Sequence, residues 1–338
     1  MFLLVFFFLL SSLSFSQENQ NDSTEVEPVY LQRYPSDSSI KLFSSSRFAT
    51  FSFYPAEDEE HYNYLPNAKV KIGFGASWKA LSLSWGYGID VLQREGKGNT
   101  ESFDIQFNFH GKQFLVETFA QQHSGFYLLE RMDNSDPSSP LRLTTLRPDI
   151  TLRKYGLFGQ YIFNSDKFSY EAALGQKERQ LISAGGLQLG LGIYFTEAQA
   201  DSSFYPVNTV SEKQYLRKTL LGPNIGYTHT WIWNRIFLTA SMTAGFNIGI
   251  SYNDEAKQQR EFAPSIYPRF YCGYNADNWS LNFQFDNNMF FISSNDDAKI
   301  GLNTGHLGLT LVRRLYLGYQ PKIFNKVNPK ILRLTGFD

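Results

Sequence analysis

From about residue 40 the chain alternates large apolar side chains with small or polar ones. In LSLSWGYGIDV (residues 81–91), Leu81, Leu83, Trp85, Tyr87, Ile89 and Val91 share one parity, and Ser82, Ser84, Gly86, Gly88 and Asp90 share the other. A period of two places the first set on one face of a strand and the second on the opposite face. The same grammar recurs. Val70, Ile72, Phe74, Ala76 and Trp78 oppose Lys71, Gly73, Gly75 and Ser77. In FDIQFNF, Phe103, Ile105, Phe107 and Phe109 oppose Asp104, Gln106 and Asn108. In LQLGLGIYF, Leu187, Leu189, Leu191, Ile193 and Phe195 oppose Gln188, Gly190, Gly192 and Tyr194. Residues 236–250 set Ile236, Leu238, Met242, Phe246 and Ile248 against Thr239, Ser241, Thr243, Gly245 and Asn247. In WSLNFQF, Trp279, Leu281, Phe283 and Phe285 oppose Ser280, Asn282 and Gln284, and Asp286 continues the polar parity. No segment carries a 3.6-residue period.

The connections are sorted by length. Short ones fall at residues 79–80, 111–112, 165–167, 234–235 and 276–278. Long polar ones fall at 55–67, 94–99, 133–147, 196–213, 253–261 and 293–298. Short and long alternate along most of the chain, as in an antiparallel meander with tight turns at one end and loops at the other. Residues 168–195 read either as two strands or as one long strand bent at Gly185-Gly186. The second choice keeps the alternation intact. The expected fold is therefore all-β: an antiparallel up-and-down transmembrane barrel of about twelve strands, within a range of ten to fourteen, because single-chain bacterial barrels use even numbers.

Composition helps to choose the solvent. Aromatics make up 17% of the 338 residues, with 31 Phe and 20 Tyr. Mean hydropathy is nevertheless only -0.31, as expected when apolar positions are diluted one-to-one by polar ones. Trp78, Trp231, Trp233, Trp279, Tyr271 and Tyr274 lie towards strand ends, where interface girdles form. A soluble barrel with an apolar interior would have to pack some fifty aromatics into its lumen. The apolar face is expected to meet lipid. Formal net charge is -1, which gives no electrostatic footprint for nucleic acid. The first residues, MFLLVFFFLLSSLSFSQ, read as a cleaved signal peptide over residues 1–16, with Ser14 and Ser16 at the small-residue positions. A polar acidic lead follows over 17–38, the barrel over 39–317, and a basic tail over 318–338. That tail is expected either to lie in the periplasm or to add a last strand through KILRLTGF. The lone Cys272 has no internal disulfide partner.

A resemblance adds to this reading. YIFNSDKFSYEAALGQKERQLISAGGL (residues 161–187) resembles the domain of unknown function 4421 family. YLPN (64–67), RPDI (147–150), FYPVN (204–208) and GYTHTWIW (226–233) look like its other landmarks, in order. The resemblance spans nearly all of the chain after the leader. It implies secreted outer-membrane β-barrels of Gram-negative bacteria, and it supplies no activity and no catalytic residues.

The expected lumen-facing set is Ser82, Ser84, Asp90, Asp104, Gln106, Asn108, Gln188, Thr239, Ser241, Thr243, Asn282, Gln284 and Asp286. Lys71, Arg153, Lys177 and Arg179 are further charges read onto the polar face. They suit either a selectivity ring or a filling of salt bridges, and the second is preferred. His123-Ser124 in QQHSGFY is the one pair reminiscent of a membrane acyl hydrolase. Neighbours in a strand point to opposite faces, so the pair cannot readily hydrogen-bond. Asp104 and His110 share parity but lie about 20 Å apart along a strand. His61, His110, His123, His229 and His306 show no metal-ligand spacing. No helix follows the glycine-rich GFGAS or GLGIYF, so neither is a phosphate loop. No enzyme activity, cofactor or metal is expected. Expected partners are outer-membrane lipids and the barrel-insertion machinery, with a narrow pore or structural barrel as first reading. A lipid hydrolase, or a binding protein using outer loops such as DNSDPSSP (133–140), is the alternative.

Overall fold

The alternating segments fold as strands. A computed structural model describes residues 28–36, 38–55, 62–78, 81–91, 93–129, 144–175, 178–204, 214–252, 258–291 and 298–316. The expected leader and tail lie outside these residues. In chain order the described strands are β1 (Leu31–Arg33), β2 (Ser38–Pro55), β3 (Tyr62–Leu65), β4 (Val70–Trp78), β5 (Leu81–Ile89), β6 (Glu101–His110), β7 (Phe114–Leu129), β8 (Thr144–Ile162), β9 (Glu178–Gln180), β10 (Ala184–Ala200), β11 (Gln214–Trp233), β12 (Ile236–Tyr252), β13 (Gln258–Asn275), β14 (Trp279–Phe290) and β15 (Ala298–Leu315).

Pairing runs antiparallel from β7 through β8, β10, β11, β12, β13, β14 and β15, and β15 then pairs along all of β2. The short β3 bridges β2 to β7 and completes a ring of ten strands. Three further strands of the same sheet stand outside that ring. β4 pairs with residues 38–45 of β2, β5 pairs with β4, and β6 pairs with β7. Among the described residues the closed ring is thus ten, the lower bound of the expected ten to fourteen and not the preferred twelve.

The reason lies at a break and a register shift. β3 and β4 are successive pieces of one descending path, interrupted at residues 66–69. Pro66 has no N–H to give a ladder there. The Asn67 side chain instead holds the loop below it: its Nδ2 donates to the carbonyls of Arg94 (3.1 Å) and Gly98 (2.6 Å), and its Oδ1 accepts from Arg94 N (2.9 Å). Across from this break the register of β7 against β8 shifts between Ser124 and Phe126, where Gly125 alone faces β8 residues 148–150. β6 pairs with β7 up to Ser124, and β3 pairs with it at Tyr127 and Leu128. At this register shift the opposite edge of β7 passes from one partner to the other. Gly125 carries it with φ of 85°, and a Cβ there would sit 2.5 Å from Asn99 O. Thr100 Oγ1 donates to Gly125 O and accepts from Asn67 N, at 2.5 and 2.7 Å. Gly125→Ala is expected to lower stability by about 1–3 kcal/mol, read as a drop in the urea midpoint in micelles. An unchanged midpoint would show that this position tolerates a side chain.

Residues 163–183 form neither of the two expected strand arrangements. β8 ends at Ile162, and the chain turns through Asn164. It then sends Phe168 and Tyr170 into the barrel, both buried. A π-helical turn, Glu171–Gly175, follows. Five residues are too few to show a helical period in sequence. β9 then pairs with β1, forming a two-stranded sheet apart from the barrel sheet.

The outer wall is apolar. Trp85, Tyr87, Phe107, Leu191, Ile248 and Leu309 are among its exposed side chains. On β11 the rings of Tyr227, His229 and Trp231 contact in series, and Trp233 is exposed beyond them. Tyr274 packs on Trp279 at the same turn end. Tyr271, expected in that girdle, is corrected. It has inward parity and is buried in the lumen.

Candidate functional site in the lumen

Inward parity brings two kinds of side chain together. Towards the loop end, Phe51, Tyr64, Phe126, Leu152, Phe204 and Leu302 form one buried cluster. Tyr64 donates its hydroxyl to Phe204 O. Midway, Phe158, Phe168, Tyr194, Tyr267 and Phe290 form a second cluster. These aromatics escaped the sequence reading, which expected a polar lumen. Their signal was present but weak: Phe158, Tyr194 and Tyr267 sit on the parity opposite the outward-facing residues.

Polar groups inside are paired in detail. The Tyr170 hydroxyl lies 2.6 Å from Thr228 Oγ1 and 3.0 Å from Ser241 Oγ. Gln160 Nε2 donates to Asn224 Oδ1 at 2.9 Å. Lys218 Nζ donates to Glu261 Oε1 at 2.7 Å, with both side chains buried. Arg269 grips Glu117 with two parallel bonds of 2.7 and 2.6 Å, the fork geometry that suits guanidinium and carboxylate. Asp286 accepts from the Tyr271 hydroxyl and from Gln284 Nε2, with His306 Nδ1 at 3.4 Å.

A cavity of about 2090 Å³ lies on the turn side of the barrel. Lead residues such as Tyr30, Arg33 and Tyr34 line it at the turn end. Its inner wall includes Arg47, Lys71, Asp104, Gln121 and Lys154. Arg47 binds Asp104, and Gln121 Nε2 donates to the same carboxylate at 3.1 Å. Lys154 leaves β8 and reaches Thr304 Oγ1 on β15 at 2.9 Å. Its ammonium lies 5.3 Å from the Phe119 ring centre and 4.8 Å from that of Phe290. No carboxylate pairs with it among the described residues.

The expected lumen residues fall into place as follows. Gln188, Thr239, Ser241 and Thr243 are buried inside. Ser84, Asp104, Gln106, Asn108, Asn282, Gln284 and Asp286 line the cavity. The side chain of Ser82 lies outside the described residues, as does Lys177. Asp90 is corrected: it follows the end of β5 and is exposed, with Lys69 Nζ 3.0 Å away. Arg153 is also corrected. It faces outward and binds Glu197 at 2.6 Å, while its neighbour Lys154 is the inward cation. Arg179 is on β9 and donates to Asn234 O at 2.8 Å, away from the barrel wall strands. His123 is buried, whereas Ser124 Oγ meets Thr151 Oγ1 at 3.1 Å, so the two do not form a dyad. Among the described residues no three His, Cys, Asp or Glu side chains form a metal-sized group.

A family model described as a domain of unknown function, DUF4421, matches residues 20–316. The chain belongs to this family. A comparison of this DUF4421 chain with curated proteins gives no significant match. Among solved structures it is similar to the outer membrane protease OmpT from Escherichia coli, at 10% identity and a TM-score of 0.41, covering 83% of this chain and 98% of that one. It is also similar to the beta domain of the Bordetella autotransporter BrkA, at 9% identity and a TM-score of 0.39, covering 80% and 98%. A third is the COG4313 outer membrane channel from Pseudomonas putida F1, at 12% identity and a TM-score of 0.32, covering 86% and 100%.

Proposed function

We propose that this DUF4421 chain is a non-enzymatic outer-membrane β-barrel, closed on its loop side and hollow on its turn side. The observation that carries the reading is the loop-side cluster of Phe51, Tyr64, Phe126, Leu152, Phe204 and Leu302, all buried across the lumen. Packed apolar side chains exclude water and ions as a protein core does. The apolar outer wall supports lipid as the solvent, since a closed barrel satisfies its backbone without water. Short turns face the periplasm in such barrels, so the cavity opens towards that side. Membrane lipids and the barrel-insertion machinery are the partners this reading requires.

The test is planar-bilayer recording on protein whose gel mobility shifts on heating, the mark of a folded barrel. The expected result is a heat-dependent shift with no steady conductance. Reproducible channel steps would overturn the closed-lumen reading. A chain released in the soluble periplasmic fraction, with no heat shift, would overturn the membrane reading.

A further inference from the structure

β5 and β6 are joined by a loop and lie side by side in sequence, yet neither pairs with the other. Among the described residues β5 bonds only to β4 and β6 only to β7. Below β3 the barrel wall therefore has a seam with two strand edges that are free among the described residues. Free edges are not stable against hydrocarbon, and they persist only where they line a wet cavity. The cavity meets this condition. Its lining includes inward groups such as Arg47, Lys71 and Asp104, and also the outward-facing Trp85, Phe103 and Ile105 on the two seam strands. One space thus touches both the lumen and the lipid side of the wall.

The inner end of that space is cationic. Arg47, Lys71 and Lys154 stand there with Asp104, which Arg47 and Gln121 already occupy, while the lining carboxylates Glu117 and Asp286 are held by Arg269 and by Tyr271 and Gln284. Lys71 makes no hydrogen bond or ion pair among the described residues, and Lys154 has only the Thr304 hydroxyl and two ring faces. Asp104 Oδ1 and His123 Nδ1 are buried nearby without hydrogen-bond partners. Cations held without counter-ions at the end of an apolar slot call for an anion that brings apolar surface with it.

We propose that the β5–β6 seam is a lateral binding site for an anionic single-chain amphiphile. The headgroup lies against Lys71, Lys154 and Arg47, and the chain lies in the seam along Trp85, Phe103 and Ile105. The inference rests on the membrane reading above and not on the absence of conductance. Loss of the heat shift would mark failure of that reading, whereas the experiment here uses only heat-shifting protein.

The probe is palmitate, titrated against the folded full chain in non-ionic micelles. The expected result is saturable binding near one per barrel, weakened at least about tenfold by Lys71→Met and by Lys154→Met, since a charged hydrogen bond is worth that much. Methionine keeps volume and removes a buried charge, so folding is expected to survive. Trp85→Ala should weaken palmitate through lost chain contact while leaving the heat shift intact. Dodecyltrimethylammonium should not compete. Three outcomes would overturn the proposal: no saturable component, equal affinity in both lysine variants, or displacement of palmitate by inorganic phosphate at similar concentration. The last would make the site one for a water-soluble anion.

Discussion

Leu191→Arg is expected to destabilise the folded barrel in lipid vesicles by about 2–4 kcal/mol, the cost of a charge on the lipid face near the bilayer centre. Leu191 lies mid-strand in β10, opposite Gly159 of β8 and Pro223 of β11. It is 63% exposed, so the substitution breaks little packing within the protein. That makes it a clean probe of the surrounding solvent. On a surface facing water such a change is worth no more than about 0.5 kcal/mol either way. Urea unfolding from vesicles separates the two cases. A loss within that smaller range would mean that the outer wall does not meet hydrocarbon.

The second large effect is inside. Glu117→Ala should cost about 3 kcal/mol, because it leaves the Arg269 guanidinium in the lumen without its carboxylate. Arg269 would keep the Phe158 ring, 5.6 Å from its guanidinium carbon, and Asp286, its cross-strand neighbour on β14, which Tyr271 and Gln284 already bind. The double variant Glu117→Leu with Arg269→Leu should recover most of the loss, since removing both charges also removes their desolvation cost. The measurement is the urea midpoint of the two single variants and the double. A double variant as unstable as Glu117→Ala would show that the pair supports the wall through something other than charge. Single variants matching the parent would show that water screens the pair fully.

Both predictions depend on which face each residue occupies, and that was legible in the chain. The alternation at LQLGLGIYF assigned Leu191 outward and Gln188 inward, as observed. The same reading placed Thr239, Ser241 and Thr243 inside and Met242, Phe246 and Ile248 outside. It stayed legible because a period of two keeps each parity on one face along the whole of a long strand. It failed at strand ends. Asp90 lies past the last β5 residue, where parity no longer fixes direction. Arg153 and Lys154 are adjacent cations, and residue type could not say which one turned inward.

The mid-lumen site was only half legible. Asp104 could be named as inward, but its partner Arg47 lies 57 positions away in sequence. Lys154 and Thr304 are 150 apart. Such contacts depend on barrel diameter, and the diameter depends on how many strands close. The aromatic filling was hidden for a related reason. An inward Phe or Tyr is indistinguishable from an interface residue until the neighbouring rings are located, as Tyr271 demonstrates.

The sequence by itself determined the local quantities: strands instead of helices, two faces per strand, turns at one end and loops at the other, and membership of a barrel class. These follow from a period of two and from connection length, which the chain carries within a dozen residues. Tertiary structure alone decided the closure. Pro66 interrupts a descending strand, the β7–β8 register shifts at Gly125, and β3 bridges above two strands that do not pair with each other. Ten strands close among the described residues, where twelve were preferred within ten to fourteen. Each of these choices depends on hydrogen bonds between segments far apart in the chain, and no local pattern records which free edge meets which.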